Sequence, residues 1–369
     1  MAMNKYKKWF VTALFISAVS IILVTSLTFN SDTLEALKKI KFEYFVAAAF
    51  SHILLYFIWG FRVQALCKAL GHSVSSMKMT EMVISSTFVG GITPAFAGGE
   101  LLKMHLLNKH GIPLGRATAV VVGERLLDAL IIFSCLPLAL YILEDTLSNY
   151  KLDLAFLIAN FLLFISLFLF IYAVWKPEKV KNGLHKVLEN RIIKKLISFA
   201  GKGANNRANI SLTDLTKHID REIDYFHGSI KLFFSEGKKG LLLGFIFTLL
   251  FWVVDFSLLV LILRGLSQNP SILTAFAAQV ILAVIIIIPA TPGASGVAEL
   301  GAASIFSIFV SSSLLGITVI AWRTLTYHLN LLLGGLMSLK IFRDMDLLKK
   351  LAGNSIDSKE AQKEPENIF

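Results

Sequence analysis

Six charged side chains of this sequence lie within or beside long apolar segments. A charge inside a membrane costs at least about 2.5–3.5 kcal/mol unless it finds an opposite charge or a water-filled cavity. Because the planar guanidinium group of arginine matches the geometry of phosphate, two such arginines predict a site for an anionic, phosphate-bearing group. The six residues are Glu100, Glu124, Arg125, Asp128, Glu299 and Arg323.

Two similar spacings indicate how these charges pair. Arg125 follows Glu100 by 25 residues, and Arg323 follows Glu299 by 24. We therefore expect the pairs Glu100–Arg125 and Glu299–Arg323, or the crossed pairs between the two halves. Asp128 lies three residues after Arg125 on one helical face and can neutralise it locally. Static salt bridges that hold the fold are the alternative to a binding site, and the sequence leaves both open.

Two stretches rich in glycine and proline interrupt the apolar pattern just before these charges. The first reads GGITPAFAGGE at residues 90–100, and the second reads TPGASGVAE at residues 291–299. A broken helix offers backbone N–H and C=O groups to a polar ligand, and glycine lets a head group or another backbone approach closely. Close helix packing through small residues is the alternative explanation of the glycines, and it leaves the charges unexplained.

We therefore expect a set of substrate-binding residues around the two breaks and no catalytic residue. Lys103 follows the first break and should lie near its cytoplasmic mouth, where it either recruits the anion or extends its ammonium group to the membrane surface. The expected set is Pro94, Gly98, Gly99, Glu100, Lys103, Glu124, Arg125, Asp128, Pro292, Gly293, Gly296, Glu299 and Arg323.

The composition is that of an integral membrane protein. Of the 369 residues, 55% are hydrophobic and 17% are charged, and the mean hydropathy is +0.69; soluble domains have about 25% charged residues. The two cysteines, Cys67 and Cys135, lie far apart in apolar contexts, which excludes a disulfide framework and a thiolate metal site. The sequence has no G-x-x-x-x-G-K-[ST] pattern, so we expect no ATP hydrolysis by this chain, no cofactor and no metal.

Basic residues are concentrated in two segments, and this sets the expected orientation. Fourteen Lys and Arg residues lie in 176–239 and six in 340–363. The positive-inside rule places both segments and the N-terminus in the cytoplasm of a multi-pass protein of the cell membrane. Seven acidic residues are interspersed in 176–239, which favours a topogenic role over nucleic-acid binding. Residues 180–199 predict an amphipathic helix on the membrane surface, with a solvated linker helix as the alternative.

The expected fold is an all-α bundle of about six full spans with two re-entrant, broken-helix hairpins. Residues 1–175 form the first transmembrane half, 176–240 the basic cytoplasmic loop, 241–340 the second half and 341–369 a disordered cytoplasmic tail. Arg62 is expected at the cytoplasmic end of its helix. The predicted membrane segments are 9–29, 42–60, the hairpin 81–108, 113–143, 152–175, 241–263, the hairpin 272–312 and 314–339.

The two halves share one plan. Each contains a helix, a hairpin with a Thr-Pro…Glu motif and a long helix that carries an arginine. The three full spans predicted between these units give them opposite orientations in the membrane. Inverted repeats with broken helices are typical of transporters, in which the substrate site lies at the interface between the repeats.

The ordered motifs GGITPAFAGGE, GERLLD and PGASGVAE resemble the lysylphosphatidylglycerol synthase transmembrane-domain family over about residues 6–342. The resemblance implies a flippase-like protein that moves a lipid, or a lipid-linked polar group, between leaflets. The family's first hairpin glutamate, its E-R-x-x-D segment and its second P-G…E hairpin correspond here to Glu100, to Glu124, Arg125 and Asp128, and to Pro292, Gly293, Gly296 and Glu299.

The sequence departs from the family pattern in two places. Ala294 stands where the family commonly has a second glycine, and its side chain narrows the permitted backbone conformations. The sequence ends at Phe369 without the soluble domain that, in the fused members, transfers an aminoacyl group from tRNA. We therefore expect a stand-alone member that is not an enzyme.

The expected function is a lipid translocase, a flippase or scramblase, that acts on an anionic phospholipid or a polyprenyl phosphate. Membrane lipids are then the expected partners and nucleic acid is not one, while a homodimer and a separate lipid-modifying enzyme are left open. One alternative is a non-catalytic scaffold subunit whose basic loop recruits a soluble partner. The other is a membrane enzyme that modifies head groups, for which Glu100 and His105 are the best acid–base pair.

Overall fold

The computed structural model describes residues 2–28, 31–94, 96–143, 178–179, 212–287, 291–341 and 343, and these residues are helical with no strand among them. An all-α membrane protein is therefore confirmed as the fold class. The helices are α1 Ala2–Thr28, α2 Ser31–Lys38, α3 Phe42–Ala69, α4 Ser76–Gly91, α5 Ala97–Lys109, α6 Leu114–Ile142, α7 Leu212–Phe234, α8 Lys238–Gly265, α9 Ile272–Ile286, α10 Val297–Phe306 and α11 Ser312–Arg323. A π-helical turn, Thr324–His328, follows α11, and the chain continues as α-helix over 329–341.

Three of the described helices, α3, α6 and α8, are long and apolar enough to cross a membrane. Each has 28 or 29 residues, which at 1.5 Å per residue gives about 42 Å, more than the hydrocarbon thickness. The predicted span 152–175, the predicted amphipathic helix 180–199 and the predicted tail beyond residue 343 lie outside the described residues.

The antiparallel pair α3 and α8 forms the centre of the bundle. The N–H of Lys41 donates to the carbonyl oxygen of Gly265 at 2.8 Å, so the start of α3 lies beside the end of α8. At the opposite end, a Cβ added to Gly240 would lie 2.7 Å from the carbonyl oxygen of Ala65. Small residues therefore let the two backbones approach closely, as in other membrane bundles.

Two pairs of short helices are each separated by a break. Between α4 and α5 the chain turns near Phe96, which has a left-handed φ of 59°. Between α9 and α10 it turns through Gly293, Ala294 and Gly296, with φ values of 60°, 52° and 87°. Ala294 thus has a left-handed φ, a region of backbone conformation that favours glycine. As noted from the sequence, alanine narrows the permitted backbone conformations at this position.

The two breaks meet. Pro94 and Pro292 form an isolated antiparallel bridge, and the N–H of Gly293 donates to the carbonyl oxygen of Thr93 at 3.4 Å. The hydroxyl of Tyr327 donates to the carbonyl oxygen of Gly91 at 3.2 Å. A Cβ on Gly293 would press against that same carbonyl group, so only glycine fits there. The two Thr-Pro motifs noted in the sequence are therefore direct neighbours.

Arg62 lies inside its helix and not at its end. Helix α3 extends to Ala69 rather than residue 60, and Arg62 is buried within it, with 1% of its surface exposed. By contrast, Arg264 lies in the last turn of α8 and is exposed. Arg62 can stay inside the bundle because two carboxylates compensate its charge, as described below.

Replacing Gly240 by leucine should lower the stability of the bundle, because the new side chain must displace the backbone of α3. Overpacking of this kind costs about 1–3 kcal/mol. The melting temperature of the purified protein in detergent measures the effect. Gly228→Leu is the matched control, since an added Cβ at Gly228 meets nothing within 4 Å; its melting temperature should stay the same or rise, since Leu favours helix more than Gly. Equal melting temperatures for the two variants would contradict the assigned packing.

Candidate functional site

A cavity of about 480 Å³ lies beside the meeting point of the two breaks. Its lining comes from both halves of the chain, including α4, α6, α8, α9, the second break and the π-helical turn. Ligand pockets of proteins typically measure about 300–1,000 Å³. The cavity is therefore large enough for a polar head group together with part of an apolar chain.

The first charged group is centred on Glu124, whose carboxylate is fully buried. One oxygen, Oε1, accepts from Trp59 Nε1 at 2.7 Å and from Arg62 Nε at 3.1 Å. The other oxygen, Oε2, accepts from Lys103 Nζ at 2.9 Å. A buried carboxylate with two cationic partners and an indole donor meets the condition for retaining its charge in a low-dielectric interior.

Asp128 extends the group from α6 to α3 and α8. Its Oδ1 accepts from Arg62 Nη1 at 2.6 Å and from Trp252 Nε1 at 3.0 Å. Its Oδ2 accepts from Arg125 Nη1 at 3.3 Å, the local neutralisation that the three-residue spacing predicts. The two carboxylates of α6 therefore bind α6 to both α3 and α8.

Arg125 is the part of this group that reaches the cavity. Its Nε donates to Glu100 Oε1 at 3.0 Å, and its side chain is 44% exposed, whereas those of Arg62 and Lys103 are at most 1% exposed. Three cations and three carboxylates form the network, so its formal charge is zero. We define these six residues, Arg62, Glu100, Lys103, Glu124, Arg125 and Asp128, as the six-charge network.

The second charged group lies at the start of α10. Arg323 Nε donates to Glu299 Oε1 at 2.8 Å, and Arg323 Nη2 donates to the carbonyl oxygen of Gly293 at 2.8 Å. Glu299 Oε2 accepts from the N–H of Gly296 at 2.6 Å, which satisfies a free donor at the helix N-terminus. The Arg323 guanidinium also lies 3.9 Å from the ring centroid of Tyr327, a cation–π contact.

The two ion pairs predicted from the spacing, Glu100–Arg125 and Glu299–Arg323, are both formed. Within the expected binding set, however, only Arg125, Gly293 and Arg323 line the cavity. Pro94 and Pro292 form the bridge between the two breaks. The carboxylates form ion pairs with the arginines and do not line the cavity themselves.

The glycines and Lys103 differ from expectation. A Cβ on Gly98 would lie 2.6 Å from Thr93 Cγ2, and one on Gly99 would lie 2.5 Å from the carbonyl oxygen of Ser86. These two glycines therefore permit close packing of α4 and α5. Lys103 neither extends to the membrane surface nor lines the cavity, because its ammonium group is buried between Glu100 and Glu124.

Several residues of the site were missed. Arg62, Trp59 and Trp252 hold the six-charge network, while Asp255 and Gln279 line the cavity. Asp255 was detectable in the sequence, since it is the single acidic residue of a 28-residue apolar helix. The two tryptophans carry no signal in a single sequence, because an aromatic residue in an apolar helix usually packs without a polar role.

Comparison with known proteins places the chain in a family. The model of the lysylphosphatidylglycerol synthase transmembrane region matches residues 10–334. The chain belongs to this family. The resemblance in the motifs is thereby confirmed, and membrane localisation follows from it together with the apolar helices.

Archaeal relatives agree with this assignment. The chain is 27% identical over 305 residues to a UPF0104 membrane protein of Archaeoglobus fulgidus, covering 82% of this chain and 88% of the relative. It is 26% identical over 310 residues to a UPF0104 membrane protein of Methanocaldococcus jannaschii, covering 83% and 87%. The similarity thus extends over most of both chains.

Removing Arg62 should destabilise the protein strongly, because Arg62→Met leaves the six-charge network with one uncompensated buried carboxylate. Breaking a buried ion pair in this way costs about 3–5 kcal/mol. The change is measured as a fall in melting temperature in detergent. Arg264→Met is the matched control, since Arg264 is exposed near the end of α8, and it should have little effect. If both variants melted together with the wild type, the network would not stabilise the fold.

Proposed function

We propose that the protein is a lipid translocase, a flippase or scramblase, that moves an anionic phospholipid or polyprenyl phosphate between leaflets. The observation that carries the proposal is the cavity beside the two joined breaks, with Arg125 from one half and Arg323 from the other in its lining. An arginine from each half suits a phosphate group that passes between the halves.

The arrangement of the breaks supports this proposal. The bridge pairs Pro94 with Pro292 in antiparallel directions, and pairing of equivalent Thr-Pro motifs in this way is what a local two-fold axis produces. We propose that the α4–α5 and α9–α10 pairs are re-entrant hairpins related as an inverted repeat, within a bundle of about six spans. Irregular backbone at membrane depth is tolerated where it lines a cavity. The second break forms part of the lining of this cavity.

The two arginines retain capacity for a ligand. Arg125 faces the cavity with 44% of its side chain exposed. Arg323 uses Nε and Nη2 for protein contacts, and its Nη1 has no hydrogen-bond partner among the described residues. Since each guanidinium group is already held by a carboxylate, its position is fixed before a phosphate arrives, which lowers the cost of binding.

The rest of the lining suits the apolar part of a lipid. Phe256, Leu282, Ile286 and Ile287 share the cavity with the arginines. A lipid phosphate could thus bind the arginines while the first part of its chain packs against these side chains. This combination favours a lipid over a small soluble anion, whose transport does not require an apolar wall.

The orientation is part of the proposal. Basic residues in 176–239 and 340–363 place both termini and the loop in the cytoplasm of a plasma-membrane protein. The first hairpin would then enter from the cytoplasm and the second from outside. In this orientation the joined breaks lie between the two entrances, where a transported head group has to pass.

The two alternative functions explain the cavity less well. A scaffold subunit does not require two arginines in the lining of an internal cavity. A head-group-modifying enzyme would use Glu100 and His105 as the acid–base pair. However, Glu100 already binds Arg125 and Lys103, and His105 is exposed on α5.

Replacing Arg125 should slow lipid movement in proteoliposomes. Purified protein is reconstituted with fluorescent phosphatidylglycerol, and the label on the inner leaflet is followed as it becomes accessible to an external quencher. A charge-assisted hydrogen bond contributes about 1.5–3 kcal/mol, so Arg125→Gln should reduce the rate by about tenfold or more. Arg125→Lys keeps the charge and should retain part of the rate.

Arg264→Gln is the control for this assay, because Arg264 is exposed and outside the cavity lining; its rate should equal that of the wild type. A fluorescent polyprenyl phosphate is tested in parallel to identify the lipid class. If wild-type vesicles move neither lipid faster than empty vesicles, the translocase proposal fails. If Arg125→Gln moves lipid at the wild-type rate, the cavity is not the route.

A further inference from the structure

One acidic side chain of the cavity has no protein partner. Asp255 lies on α8, the most apolar of the three candidate spans, and it lines the cavity. Within the described residues it makes no hydrogen bond and no ion pair. This differs from the six-charge network, in which every carboxylate has at least two partners.

A second polar group of the same cavity is also unsatisfied. Gln279 on α9 is 4% exposed and lines the cavity, and its Nε2 has no hydrogen-bond partner among the described residues. A buried amide without a partner costs free energy comparable to a lost hydrogen bond. A ligand that supplies an acceptor to this amide would remove that cost.

The formal charge of the site is unfavourable for an anion. The cavity and the two charged groups behind it contain four cationic and five acidic side chains, so full ionisation leaves one excess negative charge. The cations are Arg62, Lys103, Arg125 and Arg323, and the acids are Glu100, Glu124, Asp128, Asp255 and Glu299. Asp255 accounts for the excess, because it is the acid without a partner.

We propose that Asp255 is a proton-binding site that takes up a proton when the anionic head group enters the cavity. The inference rests on the proposed translocase function and adds its coupling ion. Protonation removes the excess negative charge beside Arg125 and Arg323 and turns the carboxylate into a hydrogen-bond donor for the head group. Because anion and proton then bind together, each tightens the binding of the other.

Titratable groups on the neighbouring elements define the controls. The elements packed against α8 contribute Arg62, His52 and Tyr56 from α3, Arg125 and Asp128 from α6, Arg323 from α11 and the exposed Lys231 from α7, and Tyr327 of the π-helical turn lines the same cavity. Helix α9 contributes no titratable residue. The closest rival is His52, because it is buried, its Nδ1 is unpaired and its Nε2 bonds to Asn330 of the cavity wall at 3.0 Å.

The test measures proton uptake during anion binding by the full chain. Short-chain phosphatidylglycerol, which has no amine, is added to protein in weakly buffered detergent without sodium, and an indicator dye reports the pH. We expect uptake that approaches one proton per bound lipid at a pH where Asp255 is ionised before binding and protonated after it, and tighter binding as pH falls. Asp255→Asn should bind the lipid without uptake, and Asp255→Glu should restore it.

Two control variants complete the design. Glu43→Gln removes an exposed carboxylate from the first turn of α3 and should behave as the wild type. His52→Gln should retain proton uptake. Loss of uptake in His52→Gln with retention in Asp255→Asn would overturn the assignment. If Asp255→Asn does not fold, the wild type still decides, because lipid binding without proton uptake contradicts the proposal.

The outcomes separate this inference from the proposed function. Suppose that the wild type moves lipid at a rate that does not change with pH and without proton uptake. That result would overturn the role of Asp255 and leave the translocase proposal intact. Binding that requires sodium, or that occurs only with an amine-bearing lipid such as phosphatidylethanolamine, would assign Asp255 to another cation. Proton-coupled binding without movement would instead refute the translocase.

Discussion

The fold depends on the compensation of buried charge in the six-charge network. Glu124 is fully buried, and its two oxygens bind a tryptophan and two cations from α3 and α5. Removing either cation leaves an uncompensated charge in a low-dielectric interior, where isolated ions are very costly. The network therefore joins α3, α5 and α6, and the bond from Trp252 to Asp128 adds α8.

The cavity follows from this arrangement. The network holds Arg125 at the cavity wall from one side, while Glu299 holds Arg323 from the other. The joined Thr-Pro motifs fix the distance between the two halves, since Gly293 contacts the first break directly. Both arginines are thus positioned without a ligand. Asp255 and Gln279, by contrast, have no partner in the described structure, and we assign them to the transported group and its proton.

Much of this could be read from the sequence, for a physical reason. Charges in apolar segments are so costly that their presence and spacing predicted both ion pairs, while the composition and the long apolar runs predicted the helical membrane class. The repeated Thr-Pro motif was noted in the sequence, whereas the direct pairing of Pro94 with Pro292 was found only in the structure. Other features depend on tertiary structure. Arg62 can lie inside a helix because the acids of α6 compensate its charge, and Lys103 is kept from the surface because it binds Glu124. These partners are distant in the sequence, so they cannot be assigned from local sequence.

The most direct test of the central claim is an experimental structure of the protein in lipid nanodiscs that contain brominated phosphatidylglycerol. The account predicts density for the phosphate within hydrogen-bonding distance of both Arg125 and Arg323, with Asp255 and Gln279 facing the glycerol head group. Lipid bound only around the perimeter of the bundle, with the cavity closed to head groups, would contradict it.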